Sequence, residues 1–459
     1  MKKIISYILV LFSLMTSCDD FLEKDPSLSL PTDQAIETEA DLVNAVNGVY
    51  EFQATEVGSY GGEFTLYADL CASDFQSLSS VNHAGPMYRY QIDKNHYLTY
   101  DFYKVFYTSI ARINNVLTVV EKIEGDKVTN LHGELLAMRG LYHFDLARLY
   151  AKAPTNGDLN GLGIVLSDQV YDTEHIGERA TLQATYDFIV SDLTSALTKL
   201  NKDHTNGHIN YWAALGIRAR AYLYLGKYAE ALADCKEIMA SSPYKLYTLD
   251  EYLNVWDKEG TAEVMFELLT TSNYNAQRNS IGHFTHAEGY GECAFTETFI
   301  DELNNRSKDV RSKLMAEEVA NGYDGFYPQK YKGREGQIYV NNPKIIRLSE
   351  IYLIAAECAL KTNDMNSAVT YINALRKNRI EDYTDVSSIT IDDILMERRL
   401  ELFTEGHTAW DYWRNGKAVN NKFIGEVKAD DYRTVLAIPK KEIDISGGEN
   451  GLLKQNPGH

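Results

Sequence analysis

Two stretches of this 459-residue chain share one helix–turn–helix pattern, and the repetition limits the folds that the chain can adopt. The first copy covers residues 211–243 and the second covers residues 345–376. A helix pair of this length cannot bury its apolar face alone, so neighbouring pairs must stack against one another. The pattern therefore predicts a mostly α-helical protein.

The repeated positions match the template of a tetratricopeptide unit. In the first copy, Gly226 falls at the turn and Pro243 ends the second helix. Ala219 and Ala231 supply small side chains where two helices cross closely. The matching residues of the second copy are Ala356, Asn363, Ala368 and Leu375. Because two clear copies are too few for a long solenoid, we expect other helix pairs to be degenerate copies that complete the stack.

Outside the two copies, apolar spacing predicts further helices over residues 41–52, 100–123, 129–149 and 180–200. Two segments lack that spacing. Residues 58–86 are rich in Gly, Ser and Asn and are predicted to form a loop. Residues 272–342, rich in Gly, Asn and Tyr, interrupt the two copies. Long irregular segments on a helical scaffold usually carry function, so we expect ligand-binding insertions here.

The N-terminus has the order of a secretory signal. Two lysines precede an apolar stretch that is too short to span a bilayer, and small residues follow it. Met15-Thr16-Ser17-Cys18 resembles a bacterial lipobox, which predicts cleavage after residue 17 and acyl chains such as palmitate on Cys18. The alternative is an ordinary signal peptide with a chance cysteine.

The rest of the chain is predicted to comprise two parts. Residues 18–32 contain two prolines and few apolar side chains, which favours a flexible lipidated tether. Residues 33–459 are predicted to form a single α-helical domain. No later apolar run is long enough to cross a membrane.

Charge and composition narrow the class of ligand. The net charge of −20 becomes −22 without residues 1–17, because that segment holds Lys2 and Lys3 and no acid. So acidic a surface argues against nucleic acid and against anionic membranes as partners. Tyrosine is abundant, with 32 residues against 4 tryptophans. Its flat apolar ring and hydroxyl suit sugar rings or peptides.

The sequence carries no motif of hydrolases, metalloproteases or nucleotide-binding proteins. One group of residue types would suit zinc, but its spacing matches no standard site, so surface polar residues are favoured. That group is His283, His286, Glu288, Glu292 and Cys293. We predict no metal, no cofactor and no catalytic residue. A surface hydrolase is the less favoured alternative, and a scaffold that binds only proteins is a third.

Cysteine and tryptophan residues are predicted to be structural. Buried free thiols are favoured for Cys71, Cys235, Cys293 and Cys358, although one disulfide stays open. The tryptophans assigned to the core are Trp212, Trp256, Trp410 and Trp413. The ligand face is then left without a tryptophan platform, so short oligosaccharides and peptides both remain candidate ligands.

A stripe of acidic side chains marks a C-terminal helix that opens with a capping box of Thr390 and Asp393. Three glutamates follow at intervals of four residues: Glu397, Glu401 and Glu405. Like charges at this spacing repel unless cations neutralise them. Arg398 and Arg399 neighbour the stripe, and Arg347 or Arg376 could approach it from the previous repeat. We predict a structural lattice of ion pairs rather than paired catalytic carboxylates.

Several segments resemble the SusD/RagB family in order along nearly the whole chain. AMRGLYHFDL at 137–146 is similar to the family's "ALRAFYYFDL" helix, and RLSEIYLIAAE at 347–357 looks like its second signature. Residues 397–411 resemble its "ERR-EL-EGHR-D" helix, except that Thr408 stands where the family usually has arginine. The start at Cys18 and the end at residues 438–458 fit as well.

The resemblance implies a nutrient-binding, non-enzymatic lipoprotein of Bacteroidetes-type bacteria. In this family, acidic residues directly after the lipidated cysteine, here Asp19 and Asp20, accompany display of the protein on the outer face of the outer membrane. The implied partner is a SusC-like TonB-dependent transporter, for which this chain would be the lid. The ligand would be a glycan or oligosaccharide, with a peptide as the alternative.

Ligand loops of relatives correspond to residues 58–96 and 272–339 of this chain. The candidate binding residues in the first loop are Asp74, Asn82, Tyr88, Arg89 and Tyr90. Those in the second loop are Tyr274, Tyr290, Tyr323 and Tyr327. Aromatic rings would stack on ligand faces, and the other side chains would bind hydroxyl or peptide groups.

Overall fold

The structure is a computed structural model that describes residues 32–78, 83–172 and 174–459. The predicted signal peptide, Cys18, residues 18–31 of the predicted tether and Asn82 lie outside these ranges. No helix in the described ranges has the length and apolar character needed to cross a membrane.

Helices dominate, and the strands are short. The helices are α1 (Thr32–Ala35), α2 (Glu39–Thr55), α3 (Glu63–Cys71), α4 (Gly85–Tyr88), α5 (Tyr97–Leu117), α6 (Val128–Tyr150), α7 (Leu182–Leu197), α8 (Tyr211–Leu225), α9 (Tyr228–Ser241), α10 (Leu249–Tyr252), α11 (Ile281–Thr285), α12 (Glu297–Asn304), α13 (Leu348–Lys361), α14 (Met365–Lys377), α15 (Ile391–Glu401), α16 (Thr408–Arg414) and α17 (Lys440–Ile445). The strands are β1 (Phe75–Gln76), β2 (Leu162–Val165), β3 (Arg179–Thr181), β4 (Val264–Glu267), β5 (Ala294–Phe295), β6 (Met315–Ala320), β7 (Tyr323–Pro328), β8 (Lys344–Arg347), β9 (Val419–Asn421) and β10 (Gly425–Val427).

The helices form one continuous stack. Helix α5 packs on α6, α6 on α7, α7 on α8, α8 on α9, α9 on α13 and α13 on α14. The two repeat copies, α8–α9 and α13–α14, are therefore neighbours in space although a long insertion separates them in sequence. Strands β4 and β8 pair in antiparallel fashion and bring the chain back to the stack. The prediction of a mostly helical, repeat-like fold is confirmed.

The first repeat copy shows why its template residues matter. Gly226 ends α8 with φ of +75°, a left-handed conformation that residues with a Cβ rarely adopt. Ala219 and Ala231 have no exposed surface. Helix α8 consequently lies close to α9, and Cys235 of α9 is buried with them.

The prediction of a loop over residues 58–86 is wrong in part, because α3 occupies Glu63–Cys71. All nine residues of α3 are buried, including the acidic side chains of Glu63 and Asp69. A helix that is covered on every side has no polar face and hence no amphipathic period to read from the sequence. The flanking glycines and serines then dominate the composition of the segment.

The acidic stripe forms the predicted ion-pair lattice. Glu397 accepts a hydrogen bond from Nε of Arg376 at 2.6 Å, and Glu401 accepts one from Nη1 of Arg347 at 3.0 Å. Glu405 accepts another from Nη2 of Arg347 at 2.8 Å. Both arginines come from the preceding repeat, as predicted, and the capping box that opens α15 is present.

The lattice is buried, and its arginines keep Glu401 ionised. Glu401 and Arg379 have no exposed surface, and Arg379 also pairs with Glu263 at 2.8 Å. Burial opposes ionisation of Glu401, but the guanidinium groups of Arg379 and Arg347 outweigh it and lower the pKa of Glu401 to about 2. These carboxylates therefore hold α15 against the second repeat.

The other structural predictions can be checked against burial. Each of the four tryptophans is buried in the core. Cys71, Cys235, Cys293 and Cys358 are buried free thiols. Residues 272–342 form a largely irregular insertion that contains helix α12 and the antiparallel hairpin β6–β7, with Ala320 opposite Tyr323.

Candidate functional site

Three loop regions, far apart in sequence, meet on one face of the helical stack. Strand β1 pairs with β5 of the insertion, with Phe75 opposite Phe295. The β9–β10 hairpin joins them, because the Lys422 N–H donates to Oγ of Ser73 at 3.0 Å and its Nζ donates to Oε1 of Gln76 at 3.3 Å. This convergence brings residues after α3, the insertion and the C-terminal hairpin to one surface.

An aromatic platform stands on this surface, formed by the rings of His83, His283 and Tyr290, with Tyr97 nearby. The rings of His83 and Tyr290 stack with centroids 4.6 Å apart and planes inclined by 29°. The ring of His283 meets Tyr290 edge-on at 4.4 Å. The side chain of His83 and the whole of Tyr97 are each 44% exposed, and Tyr290 is partly buried. The platform thus offers aromatic surface to solvent beside polar ring atoms.

The backbone around Tyr290 holds its ring in place. The Tyr290 N–H donates to the His283 carbonyl at 2.6 Å, and Asn321 donates from Nδ2 to the Tyr290 carbonyl at 2.6 Å. A Cβ at Gly289 would lie 2.3 Å from the same His283 oxygen, so only glycine permits this close turn. The hydroxyl of Tyr290 makes no hydrogen bond with any residue in the described part of the chain.

Glu292 connects the two loops beneath the platform. Its Oε2 accepts the Ala84 N–H at 2.8 Å, and its Oε1 lies 3.3 Å from Nδ1 of His83. Glu292 is itself 6% exposed, so these contacts are shielded from solvent. The carboxylate therefore fixes the loop that carries His83 against the insertion that carries Tyr290.

Tyr97 and His283 are uncharged near neutral pH. Partial burial, with the nearby charges of Arg278 and His83, lowers the pKa of His283. Burial and the charges of Glu63 and Glu292 raise the pKa of Tyr97 above its usual range. Polar but neutral aromatic groups can donate and accept hydrogen bonds without preferring a charged ligand.

A polar cleft of about 430 Å³ opens beside the platform. Its walls include His286, Glu288 and Arg334. The Nη1 group of Arg334 pairs with the exposed Glu259 at 2.9 Å, which neutralises the charge of this arginine. The cleft extends the face along which a chain-like ligand could lie.

The nine candidate residues divide by exposure. Tyr290 is part of the platform. Tyr274 and Tyr323 are about half exposed, at 53% and 49%. Tyr323 opens β7, two residues after the Asn321 that contacts Tyr290. Asn82 precedes His83 directly but lies outside the described residues.

Arg89 and the buried Tyr88, which is 6% exposed, lie elsewhere. Their partner is Phe423 at the tip of the β9–β10 hairpin, which is 55% exposed. The Phe423 ring centroid lies 6.4 Å from that of Tyr88 and 5.8 Å from Cζ of Arg89. Tyr90 instead turns inward and donates its hydroxyl hydrogen to the Cys71 carbonyl at 2.9 Å.

Asp74 and Tyr327 present no surface to a ligand, because both are 0% exposed. Asp74 accepts a hydrogen bond from Nε of Arg399 at 2.6 Å. Tyr327 packs with Ala294 and Ala320 beneath the β6–β7 hairpin. We therefore leave these two residues out of the candidate site.

Three residues of this face were missed from the sequence: His83, Tyr97 and Phe423. His83 directly follows a candidate residue, so its position in the same loop was the available signal. Neither apolar spacing nor a family signature marks Tyr97 or Phe423 as a binding residue. Among the described residues, no group of three or more His, Cys, Asp or Glu side chains could hold a metal ion.

The fold and site together define a helical-repeat scaffold that carries an aromatic surface on irregular insertions. Residues 20–223 match a family model described as SusD-like, starch-binding and associating with the outer membrane. Residues 304–459 match the model of the SusD family. The chain therefore belongs to the SusD family of carbohydrate-binding proteins.

Individual relatives agree with this assignment. A SusD superfamily protein of Bacteroides thetaiotaomicron shares 31% sequence identity and superposes with a TM-score of 0.86, covering 92% of this chain and 100% of that one. SusD-like protein P25 of Formosa agariphila is 24% identical over 97% of each chain. A laminarin-binding SusD-like protein has the same fold at 22% identity, with a TM-score of 0.77 and coverage of 92% and 100%.

Proposed function

We propose that this protein binds a neutral oligosaccharide on the aromatic platform and passes it, unaltered, to a SusC-like TonB-dependent transporter for which it is the lid. The single observation that carries the proposal is the stack of Tyr290 on His83, whose rings are 4.6 Å apart on an exposed face. Sugar rings have apolar faces edged by hydroxyl groups, and exposed aromatic rings beside polar atoms complement both.

The size of the platform favours short ligands. Tyrosine and histidine rings offer less stacking area than tryptophan, and each tryptophan of this chain is buried. The adjoining cleft has volume for further sugar units, and exposed polar side chains such as Glu288 and Lys332 line it. The laminarin-binding relative supports a glycan rather than a peptide as ligand.

The proposed cellular role rests on the N-terminus. An acylated Cys18 would anchor the protein in the outer membrane, facing the exterior, and residues 18–32 would be a flexible leash. Residues 33–459 would then move as one domain over the transporter. The acidic composition suits a partner that is a protein rather than an anionic lipid surface.

Binding without chemistry is the proposed activity. Glu292 is the carboxylate that contacts the platform, and both of its oxygens face partners in Ala84 and His83. Glycoside hydrolysis needs two carboxyl groups placed on either side of the scissile bond. Glu292 is instead engaged in holding the two loops together.

Calorimetric titration of the whole mature chain would test this function. The panel contains neutral oligosaccharides of different linkage, uronate oligosaccharides and peptides of similar mass, and chromatography of each mixture checks for products. We expect saturable binding of at least one neutral oligosaccharide with its chain length unchanged. Turnover of the bound glycan, or binding of peptides alone, would contradict the proposal.

A further inference from the structure

A second enclosed space lies on the same face but away from the platform. It has a volume of about 480 Å³, within the ~300–1,000 Å³ typical of small-molecule sites. Helices α12, α15 and α16 and the β9–β10 hairpin enclose it, and we call it the hairpin cavity. Its walls include Ser73, Glu302, Arg399, Thr408, Tyr412 and Asn420. No platform residue lines it.

The floor of the hairpin cavity presents unused hydrogen-bond donors. The Arg399 side chain is 12% exposed and donates from Nε to Asp74 at 2.6 Å. Its guanidinium group also lies 5.2 Å from the ring centroid of Phe299. Within the described part of the chain, nothing accepts a hydrogen bond from its two Nη groups. Asp74 and Phe299 thus fix the guanidinium while both terminal amino groups stay available.

Thr408 and Tyr412 complete the floor. The Thr408 hydroxyl is buried beside Asp74, but it makes no hydrogen bond of normal geometry with a described residue. Thr408 is 3% exposed and lines the cavity wall, but its hydroxyl oxygen lies beneath that wall. Tyr412 contributes an aromatic ring to the same wall. A ligand here would meet the Nη donors of Arg399 and the aromatic face of Tyr412.

The charges around the cavity select against charged ligands. Glu297 and Glu302 stand at its α12 side, and Lys422 stands at its hairpin side. A ligand carboxylate would be attracted by Arg399 but repelled by the two glutamates. A ligand ammonium group would be attracted by the glutamates but repelled by Arg399. A hydroxyl group both donates and accepts hydrogen bonds, so it can satisfy either kind of side chain.

We propose that the hairpin cavity is a second carbohydrate site, which binds one neutral sugar unit by hydrogen bonds from the Nη groups of Arg399 and by contact with the Tyr412 ring. This inference deepens the proposed glycan-binding function and rests on it. The cavity is a separate site, because none of the platform residues lines it.

Ligand-observed NMR with small probes tests the proposal on the whole mature chain. The neutral probes are the methyl glycosides of glucose, galactose, mannose and xylose, and the charged probes are glucuronate and glucosamine. We expect saturable binding of at least one neutral glycoside, tighter than either charged probe. Failure of every neutral glycoside, or tighter binding of a charged probe, would overturn the proposal.

Variants locate the bound probe. Arg399→Lys keeps a charge beside Asp74 but removes the Nη fork, and should weaken binding of the glycoside about ten-fold or more. Asn420→Trp changes an exposed residue at the rim of the cavity, so it should block entry of the glycoside without disturbing a buried contact. It serves as the second variant in case Arg399→Lys does not fold. Unchanged binding in Asn420→Trp would refute the site.

The matched control is Tyr290→Ala, which alters the platform and leaves the hairpin cavity intact. It should weaken binding of the longer oligosaccharide while binding of the methyl glycoside stays the same. If Tyr290→Ala removes both activities, the cavity is not a separate site, although the platform function stands. If neither ligand binds to the unaltered protein, the proposed function itself fails.

Discussion

The imidazole of His83 and the phenol ring of Tyr290 stack at 4.6 Å, although they lie far apart along the chain. Both rings stand on loops, and Glu292 ties these loops together through the Ala84 N–H and Nδ1 of His83. The platform is consequently built by a buried carboxylate that does not itself face the ligand.

Replacing Glu292 should weaken glycan binding indirectly. Glu292→Ala leaves the Ala84 N–H buried without an acceptor and frees His83 from the insertion. We expect a loss of about ten-fold in affinity, in line with the cost of one unsatisfied buried donor. Glu292→Gln keeps an acceptor for Ala84 and should retain most of the affinity. Calorimetry on both variants checks this, and equal affinities in the two would argue against the positioning role.

Breaking the ion-pair lattice should destabilise the scaffold. Glu401→Ala removes a carboxylate from between Arg347 and Arg379, which are fully buried. We expect a loss of about 3–5 kcal/mol in the free energy of unfolding, measured by urea denaturation. The matched control is Lys377→Ala, which breaks an exposed pair with Asp385 and should cost no more than about 1 kcal/mol. Similar losses in both would contradict the account.

The buried acid of α3 should make stability depend on pH. Burial raises the pKa of Glu63 from 4.5 to about 7, so the folded state holds a proton there that the unfolded state has already lost. Stability should therefore fall as the pH rises from about 4.5 to about 7. Lattice carboxylates such as Glu401 have lowered pKa values, and the stability they contribute is lost only below pH 4.5.

The variant Glu63→Gln isolates that contribution. The introduced amide would stay neutral at every pH, so the slope of unfolding free energy against pH should become shallower, by up to about 1.4 kcal/mol per pH unit. A remaining slope is expected from Asp69, whose pKa is also raised by burial and by Asp74. Urea denaturation of both proteins from about pH 4.5 to about pH 8 gives the comparison. Parallel curves would mean that Glu63 is ionised in the folded protein.

Removing the hydroxyl of Tyr327 should leave both folding and binding intact. That oxygen is buried and makes no hydrogen bond with a described residue. Tyr327→Phe relieves an unsatisfied polar group, so stability should stay within about 1 kcal/mol or rise slightly. Glycan affinity should not change, because the side chain does not reach the surface. A clear loss of affinity would return Tyr327 to the binding site.

Sequence patterns were informative where one side of an element faces solvent. The predicted helix at 129–149 differs from α6 by one residue at each end. The glutamate stripe pairs with Arg347 and Arg376, the arginines expected from the sequence. Helix α3 was not predicted, because a helix that is buried on all sides has no amphipathic period in its sequence. Periodicity reports partial exposure rather than helix formation itself.

The binding face was less accessible to sequence reasoning. Tyr290 stood out because its segment is rich in tyrosine, but exposure separates it from Tyr327, which looks the same in sequence. The contact of Glu292 with His83 joins residues 209 positions apart. Such pairings depend on how three loops meet on the finished scaffold, and neither local spacing nor composition encodes them.

The most direct measurement is a calorimetric titration of the best-binding oligosaccharide into the unaltered protein, Tyr290→Ala and Tyr171→Ala. Tyr171 is the matched control, because its ring also stacks on a histidine, His175, at 3.9 Å on another loop. The account predicts that Tyr290→Ala lowers the affinity about ten-fold or more. Tyr171→Ala should bind like the unaltered protein. Full affinity in Tyr290→Ala, or equal losses in both variants, would contradict a glycan site on the platform.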